Sequence, residues 1–264
     1  MVVLLLRHFD TSPFFQYPWL VIISVVIPTY LEKGNIEKLI ISLELELSKL
    51  NHKFSVVICD DKSPDGTGEI VEKLISNHKN LFLVSGSKEG YGKAIARGVK
   101  YAIEKLQSEV VVSMDADFSH DPKEVVKLIK AVEAGADFVI GSRYVSGGKI
   151  SAKWSNFRRL NSLWGNRFAR YLVGIANVQD CTSGFRAIKS TYLKKIKPES
   201  IDEKGYSFLV RVLYEAKKLG AKVVEVPINF ADRKSGETKL GVWDIIEFIV
   251  MSLKISLTRL LRLN

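Results

Sequence analysis

Cysteine is scarce in this chain: Cys59 and Cys181 are the only two in 264 residues. They form neither a disulfide framework nor a metal-binding spacing, which excludes cystine-stapled secreted folds and favours a reducing, cytoplasmic setting. Long apolar runs are also missing. Val2–Leu6 stops at Arg7, and Trp19–Ile27 is nine residues long, well short of the roughly 18–20 needed to cross a bilayer. No small-residue cleavage site follows an apolar stretch near the N-terminus, so no secretory leader is expected. Finally, no acidic residue occurs from Phe138 to Gln179, although the chain has 29 elsewhere. That stretch carries seven basic residues: Arg143, Lys149, Lys153, Arg158, Arg159, Arg167 and Arg170. Solvated surfaces normally mix charge signs, so this gap and the net charge of +10 point to an anionic partner.

What is present reads as alternating strands and helices. Ser24–Pro28, Phe54–Cys59, Leu81–Ser85, Val110–Met114 and Asp137–Ile140 are apolar runs of strand length. Between them, Asn35–Lys49, Thr67 to about Asn77, Gly90 to about Leu106 and Pro122–Ala134 carry helical spacing. That rhythm predicts βαβ units in a mostly parallel sheet with helices on both faces. Beyond Gly141 the spacing predicts a helix over Ser155–Val173, with Phe157, Leu160, Trp164, Phe168 and Tyr171 on one side and Arg158, Ser162 and Asn166 on another. A loop at Asp180–Arg186, a helix through Ser207–Lys218, a strand at Val223–Pro227 and a charged loop at Phe230–Lys239 follow. A broadly apolar helix closes the chain from Val242, with Lys254, Arg259 and Arg262 late; it suits either packing on the domain or a membrane interface. The expected division is an N-terminal extension over 1–22, one domain over 23–240 and the amphipathic C-terminal helix over 241–264.

The sharpest chemical signal is Val110-Val111-Val112-Ser113-Met114-Asp115-Ala116-Asp117, a buried strand ending in two carboxylates. Ligands in open α/β sheets bind beyond the carboxyl ends of strands. Two acids there need strong donors or a cation, and they suit a hard divalent ion that shares its shell with phosphate oxygens. Capping of the next helix is the plainer alternative.

Pro28-Thr29-Tyr30, Asp60-Asp61, Gly90-Tyr91-Gly92 and Asp115-Ala116-Asp117 together resemble the nucleotide-sugar-binding half of the inverting family 2 glycosyltransferases, which have the GT-A fold. The closer similarity is to the dolichyl-phosphate or polyprenyl-phosphate mannosyltransferases. It extends from about Ser24 to Lys254 through Asp60–Thr67, Met114–His120, Gly141-Ser142-Arg143-Tyr144, Thr182-Ser183-Gly184-Phe185-Arg186, and Arg233 with Gly236–Lys239. Leu31 stands where that family usually has Asn.

The resemblance implies an α/β, Rossmann-like GT-A domain and assigns roles. Pro28, Tyr30, Glu32, Asp60, Asp61, Lys93, Asp115, Ala116, Arg233 and Lys239 would bind the donor nucleotide, with Asp60 or Asp61 reading the base. Asp115 and Asp117, with Ser119 as a weaker third ligand, would hold Mg2+ or Mn2+. Arg143, Arg158 and Ser162 would hold an acceptor phosphate, and Asp115, Asp117, Arg143 and Arg233 would carry catalysis. The implied partners are a nucleotide sugar, GDP-mannose being favoured, and a polyprenyl phosphate. They imply a peripheral position on the cytoplasmic face of a membrane, reached through an amphipathic surface or a small membrane subunit. UDP-glucose as donor, or a saccharide hydroxyl as acceptor, are the enzymatic alternatives. A basic nucleic-acid-binding module would explain the charge but not the clustered strand-tip acids, so no nucleic-acid partner is expected.

Overall fold

In a computed structural model, residues 20–232 and 242–261 are described, with only the backbone of Asn156, Arg158 and 242–245. In chain order, β1 (Ile22–Thr29), α1 (Ile36–Leu47), β2 (Lys53–Asp60), α2 (Thr67–Ile75), β3 (Leu81–Leu83), α3 (Tyr91–Glu104) and β4 (Val110–Ser113) form the first half. A single 3₁₀ turn at Pro122–Glu124 leads into α4 (Val125–Glu133), then β5 (Phe138–Ser142), the short β6 (Lys149–Ile150) and α5 (Asn156–Val173). The chain continues through β7 (Arg186–Lys189), α6 (Ser190–Ile196), α7 (Gly205–Lys218), β8 (Val223–Pro227), β9 (Asn229–Phe230) and α8 (Val242–Leu260).

Seven strands make one sheet in the order β3-β2-β1-β4-β7-β5-β8, while β6 and β9 pair separately. Every neighbour pair in the large sheet is parallel except those of β7, which runs antiparallel to β4 and β5. Val25-Val26-Ile27 and Val56-Val57-Ile58 are buried on both faces, which is why these strands read as continuous apolar runs rather than alternating ones. One face packs on Ile36, Leu39, Leu43, Leu128 and Ile129 from α1 and α4. The other packs on Val99, Phe208, Leu213, Met251 and Ile255 from α3, α7 and α8. Strand order reverses between β1 and β4, and the crevice at that switch point opens at the carboxyl ends of the strands.

Three features go beyond the sequence reading. β7 and α6 fall between the loop expected at Asp180–Arg186 and the helix expected at Ser207–Lys218, a stretch with no expected element, and Leu81–Ser85 contributes just three strand residues. Four residues with Arg and Lys at their ends carry too little periodicity to reveal β7. The polar side of α5 turns inward, with Asn166 buried, while Phe157, Leu160, Trp164 and Tyr171 are each more than half exposed. α8 packs on α5 and α7 through Met251, Ser252 and Ile255, leaving Leu253, Leu257 and Leu260 outward. No helix among the described residues is long and apolar enough to cross a membrane.

Candidate active site

The tips of β1, β2 and β4 meet at the crevice, and side chains of the second loop tie the first in place. Ser63 Oγ accepts from the N–H of Leu31 (3.1 Å), Thr67 Oγ1 from Glu32 (3.0 Å) and Asp65 Oδ2 from Lys33 (3.1 Å). Glu32 in turn accepts from Asn35 Nδ2 at 2.9 Å. Asp60, buried to 2%, accepts from Thr29 Oγ1 (2.9 Å), Ser63 N–H (2.9 Å) and Ser63 Oγ (2.6 Å). Of the two acids proposed to read a base, Asp60 is therefore the one that builds the loop. Asp61 pairs with Arg97 at 2.7 Å, and its burial raises its carboxyl above the ordinary range. The ring of Tyr30 lies 3.7 Å from Lys88 Nζ, a cation–π contact at the crevice edge. Pro28, one residue before the end of β1, pairs opposite Cys59, and Ala116 is buried. Lys93 makes an ion pair with the exposed Asp202 at 2.9 Å.

After β4 the chain turns sharply, with Phe118 at φ +61°. Asp117 is buried, and its Oδ1 accepts from both the N–H (2.9 Å) and Oγ (2.6 Å) of Ser119. Ser119 is wholly buried, and through these two bonds it orients Asp117. His120 Nδ1 accepts from the N–H of Asp115 at 3.1 Å, which commits its lone pair. Its ring stacks on Phe185, with centroids 4.8 Å apart, and burial pushes its pKa down. The carboxyl of Asp115 is 31% exposed at the rim. No group of three or more His, Cys, Asp or Glu able to hold a metal occurs among the described residues. Two carboxylates, one at the rim, fit an ion of the Mg2+ or Mn2+ type that draws the rest of its shell from water and phosphate oxygens.

Across the crevice, Arg143 is 7% exposed. Its Nε and Nη2 grip Asp180 at 2.7 and 2.6 Å, and Nη2 also donates to Thr182 Oγ1 at 3.0 Å. Asp180 raises the guanidinium's pKa further, so the charge is fixed. The fork expected to grip a phosphate is thus occupied, because a buried guanidinium needs its own carboxylate. Asn166 donates to Thr182 Oγ1 and to the carbonyl of Ser162, both at 3.0 Å. Ser162 Oγ meets Tyr144 Oη at 2.5 Å. The backbone of Arg158 lies one turn before Ser162 on α5; its side chain, and all of Arg233 and Lys239, fall outside the described residues.

One loop joins the two sides. Asp180 and Thr182 hold Arg143, while a Cβ built on Gly184 would stand 2.5 Å from the Tyr91 hydroxyl and 3.4 Å from Asp115 Oδ1. Tyr91 is pressed against Asp115 here, and burial drives its phenol pKa well up. Sequence reasoning did not single out Tyr91, Arg97, Tyr144, Asp180 or Thr182 as site residues. Asp180 had a readable signal: it is the first acid after the long acid-free stretch.

Residues 24–197 match the family model described as glycosyl transferase family 2. The chain is 37% identical over 228 residues to a polyprenol monophosphomannose synthase of Mycolicibacterium smegmatis, covering 84% of this chain and 82% of that one. It is 36% identical over 232 residues to an undecaprenyl-phosphate mannosyltransferase of Micrococcus luteus, covering 86% and 91%. A dolichol-phosphate mannosyltransferase of Pyrococcus furiosus is 36% identical over 228 residues, covering 86% of this chain and 61% of that one. Among solved structures, a glucosyl-3-phosphoglycerate synthase of Mycobacterium tuberculosis, in complex with Mn2+, UDP-glucose and phosphoglyceric acid, superposes with a TM-score of 0.64 at 21% identity over 89% of this chain and 80% of that one. A mannosyl-3-phosphoglycerate synthase of Rubrobacter xylanophilus gives 0.62 at 15% identity over 91% and 74%. These two structures share the fold.

Proposed function

The chain belongs to glycosyl transferase family 2, and from that membership we propose that it transfers mannose, with inversion, from GDP-mannose to a polyprenyl phosphate at a membrane surface. Three relatives with 36–37% identity are named for mannosyl transfer or synthesis on polyprenyl-type phosphates. The observation that carries the reading is the loop Asp180–Gly184. It abuts Asp115 at one end and clamps Arg143 at the other, so a leaving diphosphate and an anionic nucleophile would face each other across one crevice.

The chemistry follows from the acceptor. A phosphate monoester is ionised at pH 7, so its oxygen attacks the anomeric carbon without a general base. Positioning and charge balance supply the catalysis, and holding two reactants in line removes several kcal/mol of barrier. Asp115 and Asp117 would hold the divalent cation, whose chemistry is to neutralise charge on the departing diphosphate. On the nucleotide side, Asp61 would accept from base N–H groups and Tyr30 would flank the base, with Asp60 keeping the loop in shape. Arg233 and Lys239 would close on the diphosphate. On the acceptor side, Arg143 would contribute fixed positive charge and its remaining Nη1, with Arg158 and Ser162 on the facing helix.

A saccharide hydroxyl acceptor would need a carboxylate base, and the acid beside this pocket, Asp180, is consumed by Arg143. The outward apolar faces of α5 and α8, lined by Arg159, Arg167, Arg170, Lys254 and Arg259, would rest on the cytoplasmic face of an anionic membrane, alone or with a small membrane subunit.

The test is an assay of purified protein in detergent with undecaprenyl phosphate, Mg2+ or Mn2+, and radiolabelled GDP-mannose or UDP-glucose. Label from GDP-mannose should enter the organic phase and be lost with EDTA. Preference for UDP-glucose would overturn the donor; label reaching only water-soluble saccharides would overturn the acceptor.

A further inference from the structure

Tyr144 follows Arg143 at the end of β5, and Ser162 lies on the inward side of α5, 18 residues later. Their hydroxyls are 2.5 Å apart. Two hydroxyls carry two protons, and the bond between them uses one, whichever donates. Among the described residues neither hydroxyl has another hydrogen-bond partner, so the second proton is left for a partner beyond them.

We propose that Tyr144 and Ser162 form a single paired-hydroxyl donor that grips a non-bridging oxygen of the acceptor's phosphate, with Tyr144 also fixing the rotamer of Ser162. This rests on the acceptor reading above and adds a residue to it. The surroundings are built for an anion. The Arg143 guanidinium lies 5.3 Å from the centre of the Tyr144 ring and is paired with Asp180. No carboxylate occurs in the segment that carries both hydroxyls. The pair is also rigidly held. Arg143 bonds to Asp180 and Thr182, Thr182 to Asn166, and Asn166 to the carbonyl of Ser162. The circuit closes through Ser162 and Tyr144 back to Arg143, so the donor geometry exists before a ligand arrives. Burial raises the Tyr144 phenol above its ordinary range, which keeps it a donor at working pH.

The pair makes an unusual prediction, because either hydroxyl alone retains a proton to give. Tyr144→Phe and Ser162→Ala should each raise KM for undecaprenyl phosphate roughly five- to tenfold, leaving KM for the nucleotide sugar within about twofold. The double variant should lose more than the product of the two, on the order of 100-fold or beyond, as expected when the last hydrogen bond to a charged group goes. Titration calorimetry with geranyl phosphate, a short acceptor, gives the same comparison without turnover. Tyr144→Phe keeps the ring over Arg143, and an unchanged thermal midpoint checks its fold. An unchanged acceptor KM in Tyr144→Phe, a parallel rise in both KM values, or simple additivity in the double variant would each overturn the pair. Failure of the unmodified protein to use or bind any polyprenyl phosphate would instead overturn the functional reading beneath it.

Discussion

Leu31, Lys62 and Phe118 hold left-handed backbone, at φ +64°, +50° and +61°, one in the loop beyond each of β1, β2 and β4. Strain of that kind costs of order 1 kcal/mol or more per non-glycine residue and gathers where a site over-determines the chain. Leu31 is 46% exposed, so its side chain gives little back. Leu31→Asn, which tolerates this conformation better, should raise unfolding stability by about 1 kcal/mol in a denaturant titration. Burial pushes both Cys59 and Cys181 from the ordinary thiol value of 9.0 up to about 12. The folded state therefore keeps its protons between those values while the unfolded chain loses them, and stability must fall as pH rises above about 9. Comparing denaturation midpoints at pH 8 and 10.5, with and without Cys59→Ala, checks the sign: the variant should lose less. That Asp60 bonds Thr29 while Asp61 pairs with Arg97 was not legible in the sequence, because adjacent carboxylates differ only through partners that remote.

At the scale of elements, α3 lies so close to the sheet that Gly98 has no room for a side chain. A Cβ there would stand 2.3 Å from Cys59 Sγ and 2.4 Å from Val26 Cγ1. Gly98→Ala should cost about 1–3 kcal/mol as overpacking, read as a lower thermal midpoint, and Cys59→Ala in the same chain should recover part of it. The strand–helix alternation of the first half was legible because buried parallel strands leave long apolar runs such as Val110–Val112. The second half was less so. β7 is short and its neighbours come from distant parts of the chain, so its pairing is a tertiary fact with no local imprint. The Arg158–Ser162–Asn166 face of α5 could be read from spacing and the missing acids. The ring that Asn166 joins could not, since Thr182 and Arg143 are brought to it only by the sheet.

For the whole molecule, the outward apolar surface is concentrated on two helices. Phe157, Leu160, Trp164 and Tyr171 of α5 and Leu253, Leu257 and Leu260 of α8 are all at least half exposed. Contiguous exposed apolar surface on a folded domain marks an interaction site. Sedimentation with vesicles containing phosphatidylglycerol should carry the protein down, and Phe157→Ser with Trp164→Ser should reduce the bound fraction several-fold without moving the thermal midpoint. Retention on vesicles by the double variant would place the contact elsewhere. The antiparallel strand β7 has a further consequence for how such a molecule diversifies. The chain leaves the sheet after β5 and re-enters it through β7, so everything between 143 and 185 is an excursion anchored at both ends to the same two strands. Under the proposed assignment of sites, such a cassette could be exchanged or remodelled to recruit new recipients while the loops beyond β1, β2 and β4 keep their register, which would make recipient choice and donor choice separable traits of one scaffold.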